Sequence, residues 1–190
     1  MIKAVIFDCF GVLTHDGWKQ IREEFFADGN LKQQWPVSID KAVNAGLIEY
    51  DEFINEIVKM TGLSKDEVSR RMNGGSPNEL LFRFMRDELK PHYKIGMLSN
   101  AADNWLDEMF APWQVALFDD VVLSYQVGMI KPEPAMYELI AAKLGVLPGE
   151  CLFIDDIERY SVAAEDIGMR AILHTDTYDT IAKIKKLLYA

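Results

Sequence analysis

Apolar positions along this chain follow two periods. Unbroken runs such as Ala4 to Phe7 and Cys151 to Ile154 lack polar alternation, the pattern of strands buried on both faces of a parallel sheet. Runs of this kind predict five strands: Lys3 to Phe7, Lys94 to Leu98, Asp120 to Leu123, Cys151 to Ile154 and Ala171 to His174. Between the later ones the spacing turns helical. Pro132 and Pro134 open a segment through Met136, Leu139, Ile140 and Leu144 that stops at Gly145, and Arg159 to Ile167 stops at Gly168. Strand and helix in alternation imply right-handed crossovers and a three-layer α/β domain.

Residues 16–73 break that rhythm. Trp18, Ile21 and Phe25, then Phe53, Ile54, Ile57 and Val58, then Val68 and Met72 keep helical spacing with no strand among them. Ser64 followed by Glu67 is a capping-box pattern for the last helix, and Gly62 closes the one before it. The chain returns through Asn73-Gly74-Gly75-Ser76-Pro77, where Ser76 is placed to cap and Pro77 to start a helix running to Leu89, with the two glycines as a hinge. The expected organisation is a core of residues 1–15 and 74–190 and a small helical cap of residues 16–73, set to roof the carboxyl edge of the sheet.

A chain of 190 residues, 49% hydrophobic, can bury a core of this size. Its net charge of −10 argues against nucleic acid or an anionic membrane as partner, because polyanions are repelled. The first apolar stretch is interrupted by Asp8, so it does not read as a secretory signal, and nothing approaches membrane-spanning length. Cys9 and Cys151 fall at opposite ends of adjacent strands, too far apart to bridge. Both are expected as thiols of a cytoplasmic protein.

Polar groups follow four of the apolar runs: Asp8, Ser99 with Asn100, Lys131, and Asp155 with Asp156. In open α/β sheets ligands bind beyond the carboxyl ends of the strands, so these groups are placed to converge there. Each has an ordinary explanation taken singly: a turn aspartate, a strand-end cap, a solvated lysine, a helix cap with a solvated neighbour. Together they describe a chemistry. A carboxylate at position 8 can attack phosphorus to form an aspartyl phosphate, and Asp155 and Asp156 with Asp8 form an oxygen-rich site suited to Mg²⁺. Lys131 and the Ser99 loop are placed to hold phosphate oxygens.

The set resembles the haloacid dehalogenase-like hydrolase superfamily, whose motifs are an aspartate nucleophile in an Asp-x-Asp loop, a Ser or Thr closing a strand, a lysine and an acidic pair. They fall here on Asp8, Ser99, Lys131 and Asp155-Asp156, within residues 4 to 174. The resemblance implies a Rossmann-like sheet in the order 5-4-1-2-3. It also implies catalysis by Asp8, Lys131 and Ser99, with Ser99, Asn100, Lys131 and Gly11 binding substrate. Mg²⁺ would be held by Asp8, Asp156 and the Phe10 carbonyl, with Asp155 orienting metal waters or Lys131.

The chain departs from the family at Phe10, where phosphatases carry a second aspartate as general acid and base. That assistance is typically worth ~10²–10⁴-fold, so good leaving groups such as sugar 1-phosphates are favoured. His15 and Asp16 are candidate replacements.

The function expected is a Mg²⁺-dependent phosphatase of small phosphorylated metabolites, a sugar phosphate above all. Two alternatives stand beside it: a 2-haloacid dehalogenase, whose relatives carry an aromatic residue at the Phe10 position, and a phosphate-ligand sensor without turnover. Specificity is expected in the cap, at Trp18, Trp35, Tyr50 and Arg70 or Arg71, and residues Trp105 to Trp113 are expected to expose apolar surface.

Overall fold

The computed structural model describes residues 1–26, 37–73 and 75–189. Five parallel strands form its centre: β1 (Ala4–Phe7), β2 (Lys94–Ser99), β3 (Asp120–Leu123), β4 (Cys151–Asp155) and β5 (Arg170–Leu173). Their spatial order, β3-β2-β1-β4-β5, is the predicted one. β1 is the middle strand and is wholly buried, which explains its unbroken apolar run. Val5 and Phe7 enter one core with Leu152 and Ile154; Ala4 and Ile6 enter the other with Cys151 and Phe153. β5 sits one residue earlier than predicted, and His174 continues the ladder by donating its N–H to the Asp155 carbonyl at 2.8 Å.

The helices, in chain order, are α1 (Gly17–Phe26), α2 (Val37–Asn44), α3 (Tyr50–Thr61), α4 (Lys65–Asn73), α5 (Glu79–Phe84), α6 (Leu106–Met109), α7 (Pro112–Val115), α8 (Ser124–Val127), α9 (Pro134–Lys143), α10 (Glu158–Asp166) and α11 (Thr177–Tyr189). Helices α5 and α11 cover one face of the sheet, and α9 and α10 the other. α9 begins at Pro134, two residues after the cis Lys131–Pro132 peptide. Gly62, Gly145 and Gly168 end their segments with φ of 77°, 67° and 93°. Among the described residues no helix is long and apolar enough to cross a membrane. Both cysteines are buried and free.

α1 to α4 surround an apolar cluster of their own, built on Ile21, Val43, Phe53, Ile54, Ile57 and Val68. α2 has no counterpart in the predicted elements, because it is short and of its described side chains only Val43 is buried. Ser64 Oγ accepts the Glu67 N–H at 3.2 Å, but the Glu67 carboxylate turns to Arg70 and Arg71, so only half of the capping box forms. The re-entry helix starts later than predicted. Asn78, not Ser76, caps α5: its Oδ1 accepts from Leu81 N at 3.3 Å, while its amide donates to Val12 O and to Thr177 Oγ1. The last turn, Met85–Leu89, widens into a π-helix. Of the proposed glycine hinge, Gly74 lies outside the described residues.

Candidate active site

Register alone brings the acidic groups together. Phe7 pairs with Met97 and with Ile154. One step beyond, Asp8 lies level with Asp155, and its N–H bonds to the Ile154 carbonyl at 2.8 Å. Lys131 arrives from the loop before α9 and sets its ammonium between them, 2.8 Å from Asp8 Oδ1 and 2.6 Å from Asp155 Oδ2. All three are buried, at 6, 1 and 0% exposure. Asp8 Oδ1 also accepts from the Cys9 N–H at 2.7 Å, and Asp155 Oδ1 from Ile157 N at 2.8 Å.

Asp156 completes a cluster in which one ligand atom from each of Asp8, Asp155 and Asp156 lies within 4.8 Å of the others. Three carboxylates face one buried ammonium, an excess of negative charge that burial penalises. Burial pushes the Asp8 carboxyl well up, with Asp155 adding and Lys131 opposing. Burial and then Asp155 raise Asp156 as well. Burial by itself would lower Lys131, but Asp155 and Asp8 more than reverse it and keep it protonated. A site short of one cation shows this combination. Hard carboxylate donors without His or thiolate suit Mg²⁺. Beside Asp8, burial and then the Asp8 charge hold the Cys9 thiol in the neutral form.

Gly11 makes the acidic pocket possible. Its φ is +87°, and a Cβ there would lie 2.6 Å from the Asp156 carboxyl carbon. Expected to bind substrate, it stands against Asp156. Gly11→Ala is expected to cost about 1–3 kcal/mol through left-handed strain and overpacking, read as a lower urea midpoint at unchanged slope. In the turn, Val12, Leu13 and Thr14 N–H donate to Cys9 O and Gly11 N–H donates to Thr14 O, and none of these bonds uses the Phe10 carbonyl.

The sequence profile of the haloacid dehalogenase-like hydrolases matches residues 2–168. The chain belongs to this family. It is 31% identical over 192 residues to Phosphatase MT3486 of Mycobacterium tuberculosis, covering 90% of this chain and 87% of that one. It is 37% identical over 199 residues to rat bifunctional epoxide hydrolase 2; that match takes in 93% of this chain but only 35% of the longer rat protein. The solved structure of a predicted HAD-like family hydrolase from Porphyromonas gingivalis superposes with a TM-score of 0.79 at 26% identity, covering 100% of this chain and 99% of that one.

In this hydrolase Asp8 and Lys131 open onto a cavity of about 760 Å³ between the core and the helical insert. Its walls are aromatic, with Phe10, Trp105 and Tyr160 from the core and Trp18, Tyr50 and Phe53 from the insert. Phe10 meets Trp105 edge to face at 4.6 Å between centroids. Of the candidate replacements for the missing acid, Asp16 lines the cavity and accepts from Lys19 N at 2.9 Å, whereas His15 is exposed and does not. Among the guesses for specificity, Trp18 and Tyr50 line the cavity. Arg70 and Arg71 are tied instead to Glu67, and Arg71 also to Glu24, while Trp35 lies outside the described residues. The expected apolar surface after the second motif is present in part: Trp105 and Phe110 turn inward, whereas Trp113 is exposed, with Arg86 over its ring at 5.3 Å.

Asn100 lines the cavity as a substrate contact should, yet its side chain is engaged elsewhere. Its Oδ1 accepts from Lys131 N at 2.8 Å, and its amide donates to Lys131 O and to Tyr160 OH. Asn100 therefore fixes the backbone that carries the lysine. Tyr160, which the sequence did not single out, stands over the ammonium with its ring centroid 4.9 Å from Nζ. Lys19 is another such residue, 3.6 Å from Asp156. Ser99 closes β2 with a fully buried hydroxyl that finds no partner, a rare state for a buried polar atom. A larger cleft, about 1180 Å³, lies at the opposite edge of the sheet among Lys3, His92, Arg170 and Lys186; its lining includes no carboxylate.

Proposed function

We propose that this hydrolase is a Mg²⁺-dependent phosphatase of small phosphorylated metabolites, working through an aspartyl phosphate on Asp8, with residues 16–73 as its cap. The observation that carries this reading is the Lys131 ammonium bridging Asp8 and Asp155 beside Asp156, three carboxylates gathered around one buried ammonium with Lys19 at the rim. Asp8, Asp156 and the Phe10 carbonyl would hold Mg²⁺, with Asp155 steering Lys131. When bound, the ion neutralises charge on the phosphoryl oxygens.

The protein's own groups account for the rest. Asp8 Oδ1 is held by Cys9 N and Lys131, so attack falls to Oδ2. A bond forms from Oδ2 to phosphorus as the ester P–O bond breaks, and the departing oxygen carries away the electron pair. Water then attacks phosphorus in the aspartyl phosphate, giving inorganic phosphate and restoring the carboxylate. Lys131 answers the charge on the transferring group, and the orphan Ser99 hydroxyl gains an acceptor in a phosphate oxygen. Because Phe10 offers no proton, the leaving oxygen must depart as a stable anion, which favours a sugar 1-phosphate over a simple alkyl ester. Asp16 is the carboxylate placed to assist.

The dehalogenase alternative explains Phe10 but leaves Asp156 without a task, and its charge opposes a haloacid carboxylate. Phosphate release from a panel rich in sugar 1-phosphates is expected with Mg²⁺, to vanish in EDTA and to return when Mg²⁺ is restored. Turnover indifferent to EDTA would overturn the metal assignment, and halide release from a 2-haloacid in EDTA would reinstate dehalogenation.

A further inference from the structure

Arg22 is a half-buried cation whose Nε has no acceptor among the described residues. It stands on α1 in the cavity wall contributed by the insert. Its Nε is fully buried with no hydrogen-bond partner, and its guanidinium lies 5.7 Å from the Trp18 ring centroid. Arg70, Arg71 and Arg86, by contrast, each have a carboxylate within hydrogen-bond distance. A guanidinium has five N–H donors in a fixed fork, and leaving the buried Nε donor unpaired is costly. The side on which an acceptor can enter is the cavity it shares with Asp8 and Lys131.

The charges around that space say what kind of acceptor it is. Away from the phosphate end, Arg22, Lys41 and Arg159 are matched by Asp16, Asp40 and Glu133. A second anionic group would meet as much repulsion as attraction there. A neutral body bearing hydroxyls finds both donors and acceptors, and its carbon faces find the Phe10 and Trp105 rings.

We propose that Arg22 reads the body of the leaving group, donating hydrogen bonds to oxygens of a neutral, singly phosphorylated polyol lying against Phe10 and Trp105. This rests on the phosphatase reading and adds to it the residue that selects the substrate and the exclusion of a second phosphate. Two probes separate recognition from chemistry. Acetyl phosphate offers Asp8 the same phosphoryl group with almost no body, whereas α-glucose 1-phosphate offers the body as well. In Arg22→Ala the ratio of kcat/KM for glucose 1-phosphate to that for acetyl phosphate is expected to fall about 10–100-fold, the usual range for a hydrogen bond from a charged donor.

Arg22→Gln, which keeps an amide donor, should recover part of that ratio and guards against a folding defect in the alanine variant. The unaltered chain should also prefer glucose 1-phosphate to glucose 1,6-bisphosphate at least about tenfold, the cost of placing an unpaired charge. An unchanged ratio in Arg22→Ala, or equal use of the bisphosphate, overturns this inference and leaves the phosphatase standing. Failure of the unaltered chain with both glucose 1-phosphate and acetyl phosphate in Mg²⁺ overturns both.

Discussion

Asp8→Asn is expected to reduce phosphate release by about 10³-fold or more while leaving the fold at least as stable, because the nucleophile is lost and a buried charge goes with it. The amide is nearly isosteric with the carboxylate. Its oxygen can still accept from Cys9 N and Lys131, the two contacts that Oδ1 makes now. The buried set would then hold two carboxylates rather than three against one ammonium, and the Asp8 charge that burial disfavours most, with Asp155 adding, is gone. Two measurements decide the matter together. Steady-state turnover should collapse while the thermal midpoint in EDTA holds or rises. Mass spectrometry of quenched reactions should find a phosphoryl adduct on the Asp8 peptide of the unaltered chain and none in the variant. A variant keeping a tenth of the activity would remove Asp8 from the role of nucleophile. If the midpoint fell instead by several degrees, the charge argument for a resident cation would fail even with the chemistry intact.

The parts of this molecule that were legible in its sequence are those fixed by local pattern plus the logic of a parallel sheet. β1 and β4 announce themselves because strands covered on both faces run apolar until their carboxyl ends. Once they are adjacent and parallel, Asp8 and Asp155 must emerge at the same edge. Lys131 was legible for a related reason, since the prolines after it mark the loop that enters α9. The roles that escaped notice rest on contacts no spacing encodes. Asn100 meets Lys131 and Tyr160 across 31 and 60 residues, and Tyr160 looks in sequence like any buried position of α10. Asn78 displaced Ser76 as a cap because its amide also reaches Val12 and Thr177, a gain that exists only once α11 has packed on α5. Arg22 reads as a solvated helix residue until the insert closes over the core. Phe10 was visible as a departure, but its edge-to-face contact with Trp105 shows the added consequence: the position that carries a proton donor in related phosphatases is here part of an apolar wall.

Lys131→Met should be the most destabilising single change at the site and should abolish turnover as well. Methionine fills much of the stem's volume, so packing against Phe153 and Tyr160 is largely kept and the loss is mainly electrostatic. Removing one partner of a buried ion pair leaves the other charge uncompensated, at a cost of about 3–5 kcal/mol. Here two carboxylates are left facing each other, Asp8 and Asp155, with Asp156 beside them. For a chain of this length that cost corresponds to a midpoint lowered by about 6–20 °C in EDTA. The double variant Lys131→Met with Asp155→Asn tests the cause. If charge is responsible, neutralising Asp155 should recover a substantial part of the lost stability and none of the activity, because the ammonium that answers the transferring phosphoryl group is still missing. Equal destabilisation of the single and double variants would mean that Lys131 matters to the fold through its packing rather than its charge. Recovery of turnover in the double variant would show that Lys131 serves only to balance Asp155. The proposed mechanism requires stability to return without catalysis, since Lys131 holds the nucleophile and its neighbour in place before substrate arrives and meets the phosphoryl charge after it does.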